Sequence, residues 1–197
     1  MTPGKFDFWK DLEKGWIPNT ITFIGIVLIL PTISLLNNGT MIGGLAIFVL
    51  AWICDFLDGW SARKFNGTSQ IGAFFDPLAD KIFTITFLIY YWDQIAIWIS
   101  VPIIALGTTL TGVRIYKINY GKKKEVEYNI MARLSGKVKA NVERGAFCLI
   151  ILCQTYIAYH ILPEGSLHYA TIIANIALGV SIIFAGFSLS HQIREIS

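Results

Sequence analysis

Two short stretches hold the residues best suited to chemistry. The first carries Asp55, Asp58, Gly59, Ala62 and Arg63; the second carries Gly72, Asp76, Asp80 and Lys81. Asp55 and Asp58 are three residues apart, and Asp76 and Asp80 are four apart. On a helix, each pair shares one face. The segment between the two stretches is short and polar and contains Asn66-Gly67. It predicts antiparallel neighbouring helices, with both pairs converging on one site. Four carboxylates brought that close cannot all stay ionised without compensation. Divalent cations supply it, and carboxylate oxygens suit Mg²⁺ or Mn²⁺. Two such ions, sharing the carboxylates, would hold a diphosphate and neutralise charge developing on a leaving phosphate. Gly59 and Ala62 leave room for a nucleotide to approach, Gly72 permits close helix contact, and Arg63 is a natural phosphate clamp. The competing reading makes the glycines packing residues and pairs Arg63 with an aspartate. Four aspartates against one arginine and one lysine exceed what such pairing requires.

The elements that must position these residues are membrane helices. The chain has 197 residues, 54% hydrophobic and 15% charged, whereas an ordinary soluble domain has roughly a quarter of its residues charged. Six apolar runs approach the length that crosses a bilayer: Asn19–Leu36, Met41–Ala62, Gly72–Trp92, Ile95–Tyr116, Lys139–Leu162 and His168–His191. Asn37-Asn38-Gly39 and Pro163-Glu164-Gly165 read as turns. Phe6, Trp9, Leu12 and Trp16 recur at helical spacing opposite Lys10, Glu13 and Lys14, which predicts an amphipathic surface helix over residues 1–16. The expected fold is therefore all-α: one domain over residues 1–197, with six transmembrane helices behind that surface helix. Cys54, Cys148 and Cys153 lie inside apolar runs and read as small packing residues.

Charge gives the orientation. With both termini in the cytoplasm, all 16 basic residues fall on that side, as the bias of Lys and Arg towards the cytoplasm requires. Asp93 and Glu164 are the acids on the other side. The Lys122–Lys124 run serves topology and is also placed to attract anionic lipid headgroups or phosphorylated substrates. No nucleic acid is expected as a partner.

The two acidic stretches together resemble the signature of the CDP-alcohol phosphotransferase family, D-x-x-D-G-x-x-A-R-x8-G-x3-D-x3-D, with its eight fixed positions present from Asp55 to Asp80. The resemblance implies that Asp55, Asp58, Asp76 and Asp80 hold two metal ions. It further implies that Asp80 is general base on the acceptor hydroxyl, that Gly59, Ala62 and Arg63 contact the CDP moiety, and that the protein is a homodimer. Asp76-Pro77-Leu78-Ala79-Asp80-Lys81, Ser135-Gly136-Lys137-Val138-Lys139 and Pro18-Asn19-Thr20-Ile21-Thr22 resemble the phosphatidylglycerophosphate synthase branch. Three departures bear on the acceptor and leave the metal site untouched. Gly25 stands where that branch usually has arginine, Ile115 replaces a glutamate, and Ala140 replaces a threonine.

The expected reaction is transfer of a phosphatidyl group from CDP-diacylglycerol to sn-glycerol 3-phosphate, in a bacterial cytoplasmic membrane. Lys81, Arg114, Lys137 and Lys139 are the candidate ligands of the acceptor phosphate. The rivals within the family use phosphatidylglycerol or inositol phosphate as acceptor. A cation transporter is disfavoured, because a transport path needs polar groups across the whole bilayer and these acids cluster at one end. No Ser–His or Cys–His pair is placed for covalent catalysis: His160 and His168 lie on the far side and His191 near the C-terminus.

Overall fold

The structure, a computed structural model, describes residues 16–64, 70–120 and 130–194, without the side chains of 62–63, 70–77, 114–120 and 130–135. The expected surface helix, the Asn66-Gly67 linker and the Lys122–Lys124 run thus lie outside the described residues, Trp16 apart. Among the described residues the chain is helical throughout, with no strand. The helices are α1 (Trp16–Val27), α2 (Ile29–Asn37), α3 (Met41–Lys64), α4 (Gln70–Tyr90), α5 (Ile97–Tyr120), α6 (Ile130–Ala158) and α7 (Ser166–Arg194).

Two differences from the sequence reading have physical causes. The first apolar run is interrupted at Leu28 rather than continuous. Pro31 lies three residues on and has no N–H to return to the Val27 carbonyl. The helical bonding of Leu28 and Thr32 survives, with Thr32 N–H to the Leu28 carbonyl at 3.1 Å and its hydroxyl to the same oxygen at 2.8 Å. The helix of the fifth apolar run, α6, begins at Ile130 rather than Lys139. Its first turns carry charge, so hydropathy conceals them, although Met, Ala, Arg, Leu and Lys favour a helix.

Among the described residues, three segments are long and apolar enough to cross a membrane: Trp16–Asn37, Met41–Ser61 and Ser166–Arg194. Ile97–Val113 is a shorter apolar helix. Large apolar side chains face outward along them, among them Phe23, Leu30, Phe56, Ile176 and Phe187, and Trp98 is 79% exposed. Such a surface suits lipid and not water. The chain is a membrane protein.

Packing divides the chain into two compact units, Met1–Asp80 and Lys81–Ser197. In the first, α1 and α2 lie along α3. The reversal between them uses Gly39 at φ 74°. Gly39 N–H bonds the Leu36 carbonyl at 3.1 Å and Thr40 N–H bonds the Leu35 carbonyl at 2.9 Å, which is the paired closure of a left-handed helix end. A Cβ on Gly44 would come within 2.5 Å of Leu36 Cδ2, so α2 and α3 approach closely through this residue.

In the second unit, α7 packs against α5 and α6. Its buried stripe is Ala170, Ala174, Leu178, Ser181, Ala185 and Ser188. Steps of three and four keep these on one face, and small side chains let membrane helices come close. Phe83, Phe87 and Phe147 form a stack, with centroids 4.9 and 5.5 Å apart. Asn175 of α7 clamps the turn before α5: its Oδ1 accepts from Ala96 N–H and its amide donates to the Gln94 carbonyl, both at 3.0 Å. The end of α6 repeats the Gly39 closure with His160 at φ 59°.

The reversals give a stability test. Gly39→Ala forces a Cβ into the left-handed region and should lower the unfolding free energy by about 1–2 kcal/mol. His160→Gly relieves the same strain and should raise it. Reversible denaturant unfolding in detergent micelles measures both.

Candidate active site

The acidic helix α3 is held in place by α1. Asp58 is buried, and the Thr22 hydroxyl lies 2.6 Å from its Oδ2. The same hydroxyl is 3.0 Å from the Pro18 carbonyl. One hydroxyl proton serves one acceptor at a time, and the shorter bond to an ionised oxygen is the stronger. The Ser61 hydroxyl donates to the Asp58 carbonyl at 2.9 Å. One turn back, Asp55 is half-buried. Close contact makes the Thr22–Asp58 bond possible: a Cβ on Gly25 would lie 3.4 Å from Cys54 Cβ and 3.6 Å from the Ala51 carbonyl oxygen. Beside Asp58, by contrast, a Cβ on Gly59 would meet nothing within 4 Å. At the end of α3, Lys64 Nζ sits over the Trp60 ring, 4.4 Å from its centroid.

Asp80 is half-buried on α4. The side chains of Asp76, Ala62, Arg63 and Arg114, and the surroundings of Gly72, are outside the described residues. Among the described residues no three His, Cys, Asp or Glu side chains are grouped to hold a metal ion. Convergence of four carboxylates is thus not displayed by these residues.

The expected acceptor-phosphate residues have different settings. Lys81 is half-buried and runs across Gly107 of α5, where a Cβ would come within 2.5 Å of its Nζ and 2.9 Å of its Cε. Lys137 is exposed. Lys139, two residues on, is buried and forms a 3.0 Å ion pair with Glu143. Glu143 also accepts a hydroxyl bond from Thr84 of α4 at 3.0 Å, and the Ser181 hydroxyl of α7 lies 3.2 Å from it and 2.8 Å from the Leu178 carbonyl. Thr22 and Glu143 are the polar residues that sequence reasoning missed. Glu143 had a visible signal: a carboxylate inside a membrane-length run, one turn beyond a lysine.

The family description CDP-alcohol phosphatidyltransferase matches residues 15–185, across both units. The chain belongs to the CDP-alcohol phosphatidyltransferase family. It is similar to a protein of Wigglesworthia glossinidia brevipalpis named CDP-diacylglycerol–glycerol-3-phosphate 3-phosphatidyltransferase. The two are 30% identical over 136 residues, 67% of this chain and 72% of that one. A Bacillus subtilis protein of the same name is 28% identical over 145 residues, 73% of this chain and 67% of that one. A Blochmanniella floridana protein, also so named, is 48% identical over 58 residues, a match that spans 29% of this chain and 30% of the relative. No solved structure matches the chain.

As a member of this family the protein is a membrane enzyme, and the family generally uses a divalent metal. The residues present fit such an ion. Asp55 and Asp58 offer hard carboxylate oxygens from one helix face, Asp58 is oriented by Thr22, and the space beside Gly59 is open.

Thr22→Val removes the hydroxyl and keeps the shape. It should cost about 1.5–3 kcal/mol, the range for a hydrogen bond to a charged group, while Thr22→Ser should retain most of the stability. Thermal unfolding of the two variants in detergent checks this.

Proposed function

We propose that the protein transfers the phosphatidyl group of CDP-diacylglycerol to sn-glycerol 3-phosphate, giving phosphatidylglycerophosphate and CMP in phospholipid biosynthesis. The observation that carries the reading is the family match over residues 15–185, joined by relatives named for this reaction. The acceptor's soluble, dianionic character suits Lys81, Arg114, Lys137 and Lys139 as candidate ligands of its phosphate, since charge-assisted hydrogen bonds exceed neutral ones in strength.

Asp55, Asp58, Asp76 and Asp80 would hold two Mg²⁺ or Mn²⁺ ions, which supply neutralising charge for the diphosphate when bound. Gly59, Ala62, Arg63 and Gly72 form the CDP-lipid subsite. Asp80 takes the proton of the acceptor hydroxyl. The hydroxyl oxygen forms a bond to the β-phosphorus, and the bond from that phosphorus to the CMP oxygen breaks. CMP leaves with the electron pair, and no covalent enzyme intermediate is formed.

The reading extends to architecture. One domain crosses a bacterial cytoplasmic membrane six times, with the surface helix and both termini in the cytoplasm and the active site open to it. The protein works as a homodimer among membrane lipids.

Three measurements test this. EDTA should abolish CMP release, and Mg²⁺ or Mn²⁺ should restore it; full turnover in metal-free buffer sinks the metal reading. Asp80→Asn should lower turnover by about 10²-fold or more, the scale for losing a general base, with CDP-lipid binding largely kept. With a panel of acceptors, glycerol 3-phosphate should support CMP release. Silence there, with good turnover on phosphatidylglycerol or inositol phosphate, keeps the family and overturns the acceptor.

A further inference from the structure

Glu143 has no part in the reaction as proposed, yet it is a buried charge held by several partners. It is 1% exposed, and its partner Lys139 is 4% exposed. A carboxylate so far from water must be fully compensated to be tolerated. Two donors do this, Lys139 and Thr84, and a third, Ser181, is shared with a backbone carbonyl. Lys139 Nζ meets Oε1 at 3.0 Å and the Thr84 hydroxyl meets Oε2 at 3.0 Å, while the Ser181 hydroxyl lies 3.2 Å from Oε1 and 2.8 Å from the Leu178 carbonyl, which competes for its one proton. Thr84 and Ser181 are themselves buried.

The two partners of the ion pair are held unequally. The carboxylate is supplied with donors on both oxygens. An ammonium has three N–H groups, and among the described residues the bond to Glu143 accounts for one. The other two belong to a cation whose position is fixed by a carboxylate that is itself pinned to α4 and α7. A free lysine loses side-chain entropy when it grips a ligand. A lysine tethered in this way has lost that freedom already, and so is pre-organised to meet an anion. A pair that served packing alone gains little from ionic partners, since apolar residues of similar volume do as well or better.

We propose that Glu143 is a positioning residue for acceptor recognition: by holding one N–H of Lys139, it aims the remaining two at the phosphate of the acceptor. This rests on the proposed function. Thr84 and Ser181 set the direction of the carboxylate, and the carboxylate sets the direction of the ammonium.

The test is CMP release by the full chain in lipid–detergent micelles, with the Michaelis constants for glycerol 3-phosphate and CDP-diacylglycerol measured separately. Glu143→Gln should raise the constant for glycerol 3-phosphate by about tenfold or more, the worth of one charge-assisted hydrogen bond. The constant for CDP-diacylglycerol should stay within about twofold, since an interaction with one substrate alone moves that substrate's term. Glu143→Asp should recover part of the loss. Thr84→Val leaves the ion pair in place and should move the same constant in the same direction by less; it carries the test alone where Glu143→Gln does not fold. Equal shifts in both constants, or a lowered unfolding temperature with neither constant moved, make the cluster a structural clasp and overturn the inference. A wild-type protein that releases no CMP with glycerol 3-phosphate overturns the proposed function and this inference with it. Wild-type turnover with an unselective Glu143→Gln overturns this inference alone.

Discussion

In the second unit, the Glu143 carboxylate stands where α4, α6 and α7 meet, with an ammonium and two hydroxyls turned towards it. Apolar helices in lipid have little hydrophobic reason to prefer one register over another, because lipid tails are as apolar as the side chains. A buried charge with several obligatory partners does discriminate. Sliding α4 or α6 by one turn would part Thr84 from the carboxylate, while Lys139, on the same helix as Glu143, moves with it. The Phe83–Phe87–Phe147 stack and the small-residue stripe of α7 then fill the space around a register already set by polar contacts. The first unit repeats the logic on a smaller scale. The Thr22–Asp58 bond fixes α1 on α3, and Gly25, Ala51 and Cys54 allow the approach that the bond needs.

Much of this was legible in the sequence, and the reason is length. A run such as Met41–Ala62 or His168–His191 is too apolar and too long to be anything but a helix in or beside lipid, and α3 and α7 occupy those positions within a few residues. Turn chemistry was equally readable. Asn37-Asn38-Gly39 ends a helix because glycine tolerates the positive φ that the closure demands. The chemical stretch could be recognised because its residues are held at fixed helical intervals, and intervals survive in a sequence where distances do not.

What could not be read depends on contacts between remote residues. Nothing near Thr22 announces a partner 36 residues away. The break at Leu28 had a cause in Pro31, but a proline near a helix start is as often tolerated as disruptive. The start of α6 was hidden because hydropathy measures affinity for lipid and not propensity for helix; Arg133, Lys137 and Lys139 lower the one without harming the other. Lys137 and Lys139 look equivalent in a sequence. Two residues apart on a helix, they point to different faces, one exposed and the other buried against Glu143.

The Asn175 clamp bears on how the molecule is assembled. The turn between α4 and α5 emerges from the ribosome about 80 residues before its clamp, since the bonds join Ala96 and Gln94 to a residue on the last helix. Until that helix arrives, those main-chain groups lack their protein partner. Ser181, on the same helix, reaches Glu143 at an equally late stage, with its hydroxyl 3.2 Å from the carboxylate. The last helix therefore acts as a keystone. Its arrival closes a turn made earlier in synthesis, so a chain truncated before it would leave the Gln94 carbonyl and the Ala96 N–H without the partner that holds the turn.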